Sequence, residues 1–365
     1  MKKNILTSLL IGLAISAVTL YLALKNVPFT DLLIYLTSIN YFWIFPSVLT
    51  ALISFVLRTL RWQIILESAG KVNFWRAFHP LMIGFMINCI LPGRVGEIAR
   101  PIILQQKENI PFPTGLATVA VERVFDAGLL VAFFAIMLTT MKIDPGLDIT
   151  FGGYHLNQET LILIRRGMTE LSFIIIAGII IIGFSKTRAI IKRIIMGLPY
   201  LFFFTGASLK IKIQQKVCSP IAGLVENIGF GFALIKYPKK ICSCIGLSLV
   251  IWGLAAFSYY IMALGCPGID LSFIELSAVM IIVCFFIALP SVPGFWGIWE
   301  AGGVFELSLF GISAKNAAGF TLTNHAVQIF PVIIVGLVSA VMTGVNIWQV
   351  SYKEKPPQSH DGTKI

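Results

Sequence analysis

The chain has 365 residues, 57% of them hydrophobic and only 12% charged, with a mean hydropathy of +0.88. A soluble domain carries about a quarter charged residues, so this composition excludes a hidden water-soluble catalytic domain and places the chain in a bilayer. The net charge of +11 is not a nucleic-acid footprint, because the basic residues sort by membrane side.

A helix needs about 20 apolar residues to cross a hydrocarbon core, and residues 4–24 form the first such run. Lys2 and Lys3 ahead of it allow a signal-peptide reading, but the run ends at Lys25 without a small-x-small cleavage site, which predicts a spanning helix. Residues 41–66 give the second run. Arg58 and Arg61-Trp62 close it and read as snorkelling arginines beside an interfacial tryptophan.

The next segment, 77–104, is apolar to Leu91, breaks at Pro92-Gly93 and resumes as Arg94-Val-Gly-Glu-Ile-Ala-Arg100. Its apolar arm is too short to span about 30 Å of hydrocarbon, and the break removes helical hydrogen bonds. Irregular backbone at membrane depth is tolerated only inside protein or beside a watery cavity, so the segment reads as a re-entrant hairpin. Asn88 is placed to cap backbone at the break. Arg94, Glu97 and Arg100, at i, i+3 and i+6, are expected along one helical face with Glu97 flanked by two guanidinium groups. Arginine suits forked recognition of phosphate oxygens.

Residues 114–141 span again and carry Glu122, Arg123 and Asp126 within the apolar run. Ionisable groups there need partners or water; Arg123 can reach Asp126, and Arg94 or Arg100 can supply the missing positive charge, docking the hairpin on this helix. Two readings stand side by side: a structural ion-pair lock, and a substrate or proton site. Residues 171–185 with their flanks cross next, and 186–240 form a basic stretch read as a cytoplasmic interfacial segment or a plain linker. Residues 241–265 span outward.

A second interrupted segment, 276–312, breaks at Pro290-Ser-Val-Pro293-Gly294 and continues through Trp296, Gly297, Trp299 and Glu300. Its aromatic residues and Glu300 read either as a lipid slot or as an aromatic belt with one paired acid. The two breaks share a pattern, Pro92-Gly93-x-x-Gly96-Glu97 against Pro293-Gly294-x-x-Gly297-x-x-Glu300, as expected for an inverted repeat whose interface binds substrate. Residues 321–349 close the membrane part; Asn324, His325 and Gln328 make a polar patch there, read as hydrogen-bonded helix glue or, at His325, a proton carrier. The polar tail 351–365 is expected to be disordered.

With a cytoplasmic N-terminus, 22 of the 28 Lys and Arg fall on the cytoplasmic side, including the C-terminal lysines. The fold expected is therefore an all-α polytopic protein of the inner membrane, with about six spanning helices and two re-entrant hairpins in one domain over residues 1–350, both termini cytoplasmic. The six cysteines lack metal spacing, and no zinc-protease, phosphate-loop or nucleophile-elbow motif occurs. No cofactor or metal is called for.

The three ordered motifs, Asn88-x-x-Leu91-Pro92-Gly93-Arg94-x-Gly96-Glu97-x-x-Arg100, Glu122-Arg123-x-x-Asp126 and Leu289-Pro290-x-x-Pro293-Gly294-x-x-Gly297-x-x-Glu300-Ala301, closely resemble the flippase-like transmembrane region of lysyl-phosphatidylglycerol synthases. The resemblance covers about residues 5–350. It implies lipid handling, and the function expected is a lipid translocator between leaflets, in which Arg94, Arg100 and Arg123 neutralise a headgroup phosphate and Glu97, Glu122 and Asp126 balance them. In full-length synthases a separate soluble domain makes the aminoacylated lipid. Only a short polar tail follows the last helix here, so lysyl transfer is not expected. Asn324-His325 stands where synthases often carry an arginine, which leaves another anionic or glycosylated lipid open as partner. The competing expectation is a scaffold for a lipid- or glycan-modifying enzyme; an intramembrane enzyme is a third.

Overall fold

The computed structural model describes residues 13–14, 16–25, 27–91, 94–140, 185–201, 237–288 and 293–347. It also describes short pieces at 149–151, 154–156, 163, 166–167, 170, 173–174, 177–178, 213–219 and 222. Pro92, Gly93, Leu289 and Pro290, most of the 171–185 run, much of 186–240 and the tail 351–365 lie outside the described residues.

The described part of the first run is helical up to Leu24, and the chain bends only after the run has ended. Helix α1 (Ser16–Leu24) turns by 78° into α2 (Phe29–Ser38). Pro28 sits at the N-cap of α2, and its missing N–H and fixed φ prevent a continuous helix. After a 3-10 turn at Tyr41–Trp43, α3 (Ile44–Leu66) follows. Next come α4 (Phe74–Ile90), α5 (Gly96–Glu108) and α6 (Phe112–Thr140). Two three-residue strands, β1 (Ile149–Phe151) and β2 (Tyr154–Leu156), pair antiparallel with Ile149 opposite Leu156; they are a local exception to an otherwise α-helical protein. The chain continues with α7 (Ser185–Leu201), α8 (Pro238–Leu264), α9 (Phe273–Ile287), α10 (Ile298–Leu309) and α11 (Ala314–Thr343).

Among the described residues, three continuous segments, Tyr41–Leu66, Pro238–Leu264 and Ala314–Thr343, are long and apolar enough to cross a membrane, and the bent α1–α2 pair makes a fourth. The 29 residues of α6 extend about 43 Å. By contrast α4, at 17 residues, and α5, at 13, reach only about 26 and 20 Å. They fold back on each other: Gly96 N donates to Asn88 Oδ1 at 2.8 Å, and a Cβ on Gly96 would run into the Gly84 carbonyl. The second hairpin closes similarly, with Gly302 of α10 against the Phe286 ring of α9.

The helices from α3 to α6 and from α8 to α11 repeat one plan: long helix, two-armed hairpin, long helix. The leading helices α3 and α8 are antiparallel. Asn40 N donates to Gly265 O at 2.9 Å, Ser47 and Ser258 bond each other at 2.9 Å, Arg61 reaches Ser248 at 2.7 Å and Lys240 reaches Glu67 at 2.6 Å. The base of the first hairpin lies at the C-terminal end of α3, where Gln63 bonds Val72 O at 2.9 Å. The second hairpin starts at the opposite end, with Phe273 against Phe257 and Tyr260. The hairpins therefore enter from opposite ends, and the halves form an inverted repeat. Even the tips correspond: Arg94 and Phe295, each directly after a Pro-Gly pair, both have positive φ, 53° and 60°.

Candidate functional site

The tips meet. Arg94 leaves its own hairpin and donates through Nη2 to Ile287 O of the second at 2.9 Å. Arg94 therefore does not flank Glu97 on a helical face; α5 begins only at Gly96, and the left-handed backbone at Arg94 turns the guanidinium away. Glu97 instead has a long contact to Arg123, Nε to Oε1, at 3.8 Å.

Beneath the first tip lies a buried ion cluster. Glu122 is fully buried and Asp126 nearly so, at 0% and 4% exposure. Arg100 Nη2 donates to Glu122 Oε2 at 2.6 Å, and Arg123 Nη2 to Glu122 Oε1 at 3.0 Å. Arg123 also stands 3.6 Å from Asp126 Oδ2. The first hairpin thus docks on α6 through Arg100. The strongest partner of Asp126 comes from elsewhere: Arg61 Nη1 donates to Asp126 Oδ1 at 2.7 Å and to Ser248 Oγ at 2.7 Å. Arg58 approaches Asp126 Oδ2 at 3.6 Å, and Trp252 Nε1 donates to Asp126 Oδ1 at 3.2 Å.

Arg58 and Arg61 therefore do not snorkel. Arg61 is completely buried and Arg58 is 8% exposed. Both lie on the stripe of α3 that carries Ser47, Ala51 and Ser54, all buried. Small and polar residues mark the helix-facing side of a membrane helix, and a spacing of 47, 51, 54, 58 and 61 is one face. That periodicity was the available signal. Aromatic rings complete the lining: the Arg100 guanidinium lies 4.0 Å from the Trp62 ring centroid, and Phe85 lies beneath Arg58, Arg100 and Arg123 at 5.7–5.9 Å. Such stacking is favourable for desolvated guanidinium groups.

The second hairpin carries the matching device with other chemistry. Glu300 and His325 are both fully buried. Glu300 Oε2 accepts from Gly297 N at 2.6 Å, and Oε1 faces His325 Nδ1 at 2.5 Å. His325 Nε2 bonds Gly294 O at 2.8 Å. A carbonyl only accepts, so Nε2 carries a hydrogen, and the Nδ1–Oε1 contact needs a second shared proton. His325 is stacked on Trp299, centroids 4.4 Å apart at 4°, with the tilted ring of Trp296 at 4.3 Å. His325, 25 positions beyond Glu300, joins the closely spaced Trp296, Gly297 and Glu300 in one unit that pins the second tip to α11. Pro293 opens the 3-10 turn leading into it. Gln328 lies apart from this unit; its Nε2 bonds Ser258 Oγ at 2.8 Å.

Glu300→Leu is expected to strand His325 and the Gly297 N–H in an apolar site, at about 1–3 kcal/mol for each unsatisfied group. Detergent melting curves would report it as a lowered Tm, and Glu300→Gln, which keeps an acceptor for Gly297, as a smaller loss.

The family model for the lysylphosphatidylglycerol synthase transmembrane region matches residues 9–336. This chain belongs to that family. Relatives include a UPF0104 membrane protein of Methanothermobacter thermautotrophicus, 25% identical, with 83% of this chain and 84% of the relative covered. Another, from Methanocaldococcus jannaschii, is 24% identical with 82% and 84% covered. The glycosyltransferase AglD of Haloferax volcanii is 24% identical over 81% of this chain. The chain spans only about half of that relative's length, 48%. The protein is thus a multi-pass membrane protein of the synthase transmembrane family.

Proposed function

We propose that this protein is a lipid translocator, carrying a phospholipid or lipid-linked headgroup of anionic or glycosylated character between leaflets. The observation that carries the reading is a buried, cationic ion cluster directly beneath the point where two hairpins from opposite ends meet. Arg58, Arg61, Arg100 and Arg123 face Glu97, Glu122 and Asp126, so the cluster holds 4 − 3 = +1 formal charge. Moving a phosphate through hydrocarbon unaided is very costly; fixed guanidinium groups with acidic counterweights lower that cost without leaving a large unpaired charge when no lipid is bound. Membership in a synthase's transmembrane family supports the same reading.

The ends of the helix bundle support an orientation. Lys71, Arg76, Lys107, Lys239 and Lys240 gather where α3 ends and α8 begins, and Asp31, Asp270 and Glu275 belong to the opposite end. Under the positive-inside rule this distribution supports a cytoplasmic first end, a cytoplasmic C-terminal end of α11 and residence in the cytoplasmic membrane.

In liposomes carrying fluorescent lipids, the reconstituted chain is expected to speed leaflet exchange over empty vesicles. Glu97→Gln, which alters a half-buried side chain with one long contact, is expected to leave the fold intact and slow exchange. Exchange no faster than in empty vesicles, across anionic, zwitterionic and glycosylated lipids, would overturn the reading. One observation favours a second: the relative named a glycosyltransferase contains a region like this within a longer chain, which suits a scaffold for a lipid- or glycan-modifying enzyme. Under that reading Arg94→Ala and Glu97→Ala would abolish partner binding rather than exchange.

A further inference from the structure

The repeat is symmetric in plan but not in packing. In one half-to-half contact, α4 lies tightly on α11: a Cβ on Gly336 would collide with Met86, and Ile83, Met86 and Ile87 pack with Ala340. The equivalent contact by repeat position is α9 with α6. There α6 and α9 meet through Phe134 and Phe285, ring centroids 5.2 Å apart, and beside that contact an apolar cavity of about 280 Å³ lies between α6, α8 and α9. Its walls include Ile136, Ser277 and Ile281, and Gly253 also lines it, where an added Cβ would meet nothing within 4 Å among the described residues.

The inner wall is Trp252. Its indole N–H is on Asp126 at 3.2 Å, and the Arg58 guanidinium lies 5.1 Å from its ring centroid. One side chain therefore separates an open apolar slot from a cationic cluster. Arg58 is the least committed guanidinium of the cluster, since its ion contact to Asp126 is 3.6 Å long against 2.7 Å for Arg61.

We infer that this slot is the acyl-chain site for a membrane phospholipid of net negative charge, whose phosphate is taken by Arg58 across Trp252. The inference rests on the translocator reading for its purpose but makes a separate claim about where and what the protein binds. The match is in the chemistry: an amphiphile with an apolar tail and an anionic head meets an apolar slot ending at a guanidinium. A zwitterionic lipid fills the slot equally well but gains less from the surplus positive charge, so selection falls on the head. Occupancy would turn Trp252 away from Asp126 and leave Arg61, with Ser248, holding that carboxylate.

The test uses the whole chain in phosphatidylcholine nanodiscs doped with a phosphatidylglycerol or a phosphatidylcholine probe bearing a diazirine on one acyl chain. After photolysis, peptides of α6, α8 and α9 are read by mass spectrometry. The phosphatidylglycerol probe is expected to label Ile136 and Ser277 about tenfold more than the phosphatidylcholine probe, a preference of about 1.4 kcal/mol. Unlabelled phosphatidylglycerol should compete. Gly253→Phe, which grows into open space, is expected to reduce labelling to the phosphatidylcholine level. Ser277→Phe blocks the slot from the other wall and serves if the first variant elutes abnormally. Equal labelling by both probes means ordinary annular lipid and overturns the inference, as does selective labelling that survives both blocking variants. Selective labelling in a protein without leaflet exchange would keep the slot and remove the translocator reading. Exchange that persists without selective labelling would do the reverse.

Discussion

Arg61→Ala is expected to cost about 3–5 kcal/mol, the penalty for breaking a buried ion pair from one side. The guanidinium is completely buried and serves Asp126 and Ser248 at 2.7 Å each, with Glu122 at 3.4 Å. Removing it leaves a carboxylate with only long contacts to Arg58 and Arg123, both 3.6 Å, and the Trp252 N–H. Thermal melting of the detergent-purified variant, followed by size-exclusion elution, should show a strongly lowered Tm. Adding Asp126→Asn to Arg61→Ala should restore part of the loss, since it removes the uncompensated charge. Wild-type melting of the single variant would mean that Arg61 reaches the membrane surface instead.

The second large effect is expected at the first hairpin. Gly96→Ala places a methyl group against the Gly84 carbonyl and Asn88 Oδ1, where the arms are held by the Gly96 N to Asn88 Oδ1 bond at 2.8 Å. Overpacking of this kind costs about 1–3 kcal/mol, occasionally more, and backbone cannot swing aside as a flexible side chain can. The arms must separate, carrying Arg100 away from Glu122. Gly246→Ala, in α8 at a position with nothing among the described residues within 4 Å of the added carbon, is the control and should behave as wild type. A normal Tm for Gly96→Ala, together with normal exchange, would show that the arms are not in contact.

The broken segments were legible because a Pro-Gly break inside an apolar run is a local signal, and so was the sorting of charge. Glu122, Arg123 and Asp126 stood out for the same reason: three charges in a hydrocarbon-length run announce themselves. The partners did not. Arg61 meets Asp126 across 65 positions and Ser248 across 187, and an arginine near a helix end looks the same in sequence whether it faces headgroups or protein. Only the small-residue stripe of α3 distinguished the two. Arg94 was misplaced for a different reason. Helical spacing put it in line with Glu97 and Arg100, but the residue after Pro-Gly takes a left-handed backbone, and its direction is set by the opposite hairpin, 193 residues away. Glu300 and His325 each stand out as polar groups in apolar runs, but nothing in their local patterns joins them.

The two tips share a backbone and differ in what they hold out. After one Pro-Gly pair stands an arginine; after the other, a phenylalanine. Of these two side chains only the arginine can make a directed bond across the gap, and among the described residues it forms a single-sided latch, Arg94 to Ile287 O. A hydrogen bond from a charged donor is worth about 1.5–3 kcal/mol. Were that bond all that held the tips, they would stand unlatched in roughly one molecule in ten to one in a hundred at rest. An anion arriving near the tips competes for the same guanidinium and would itself turn the key.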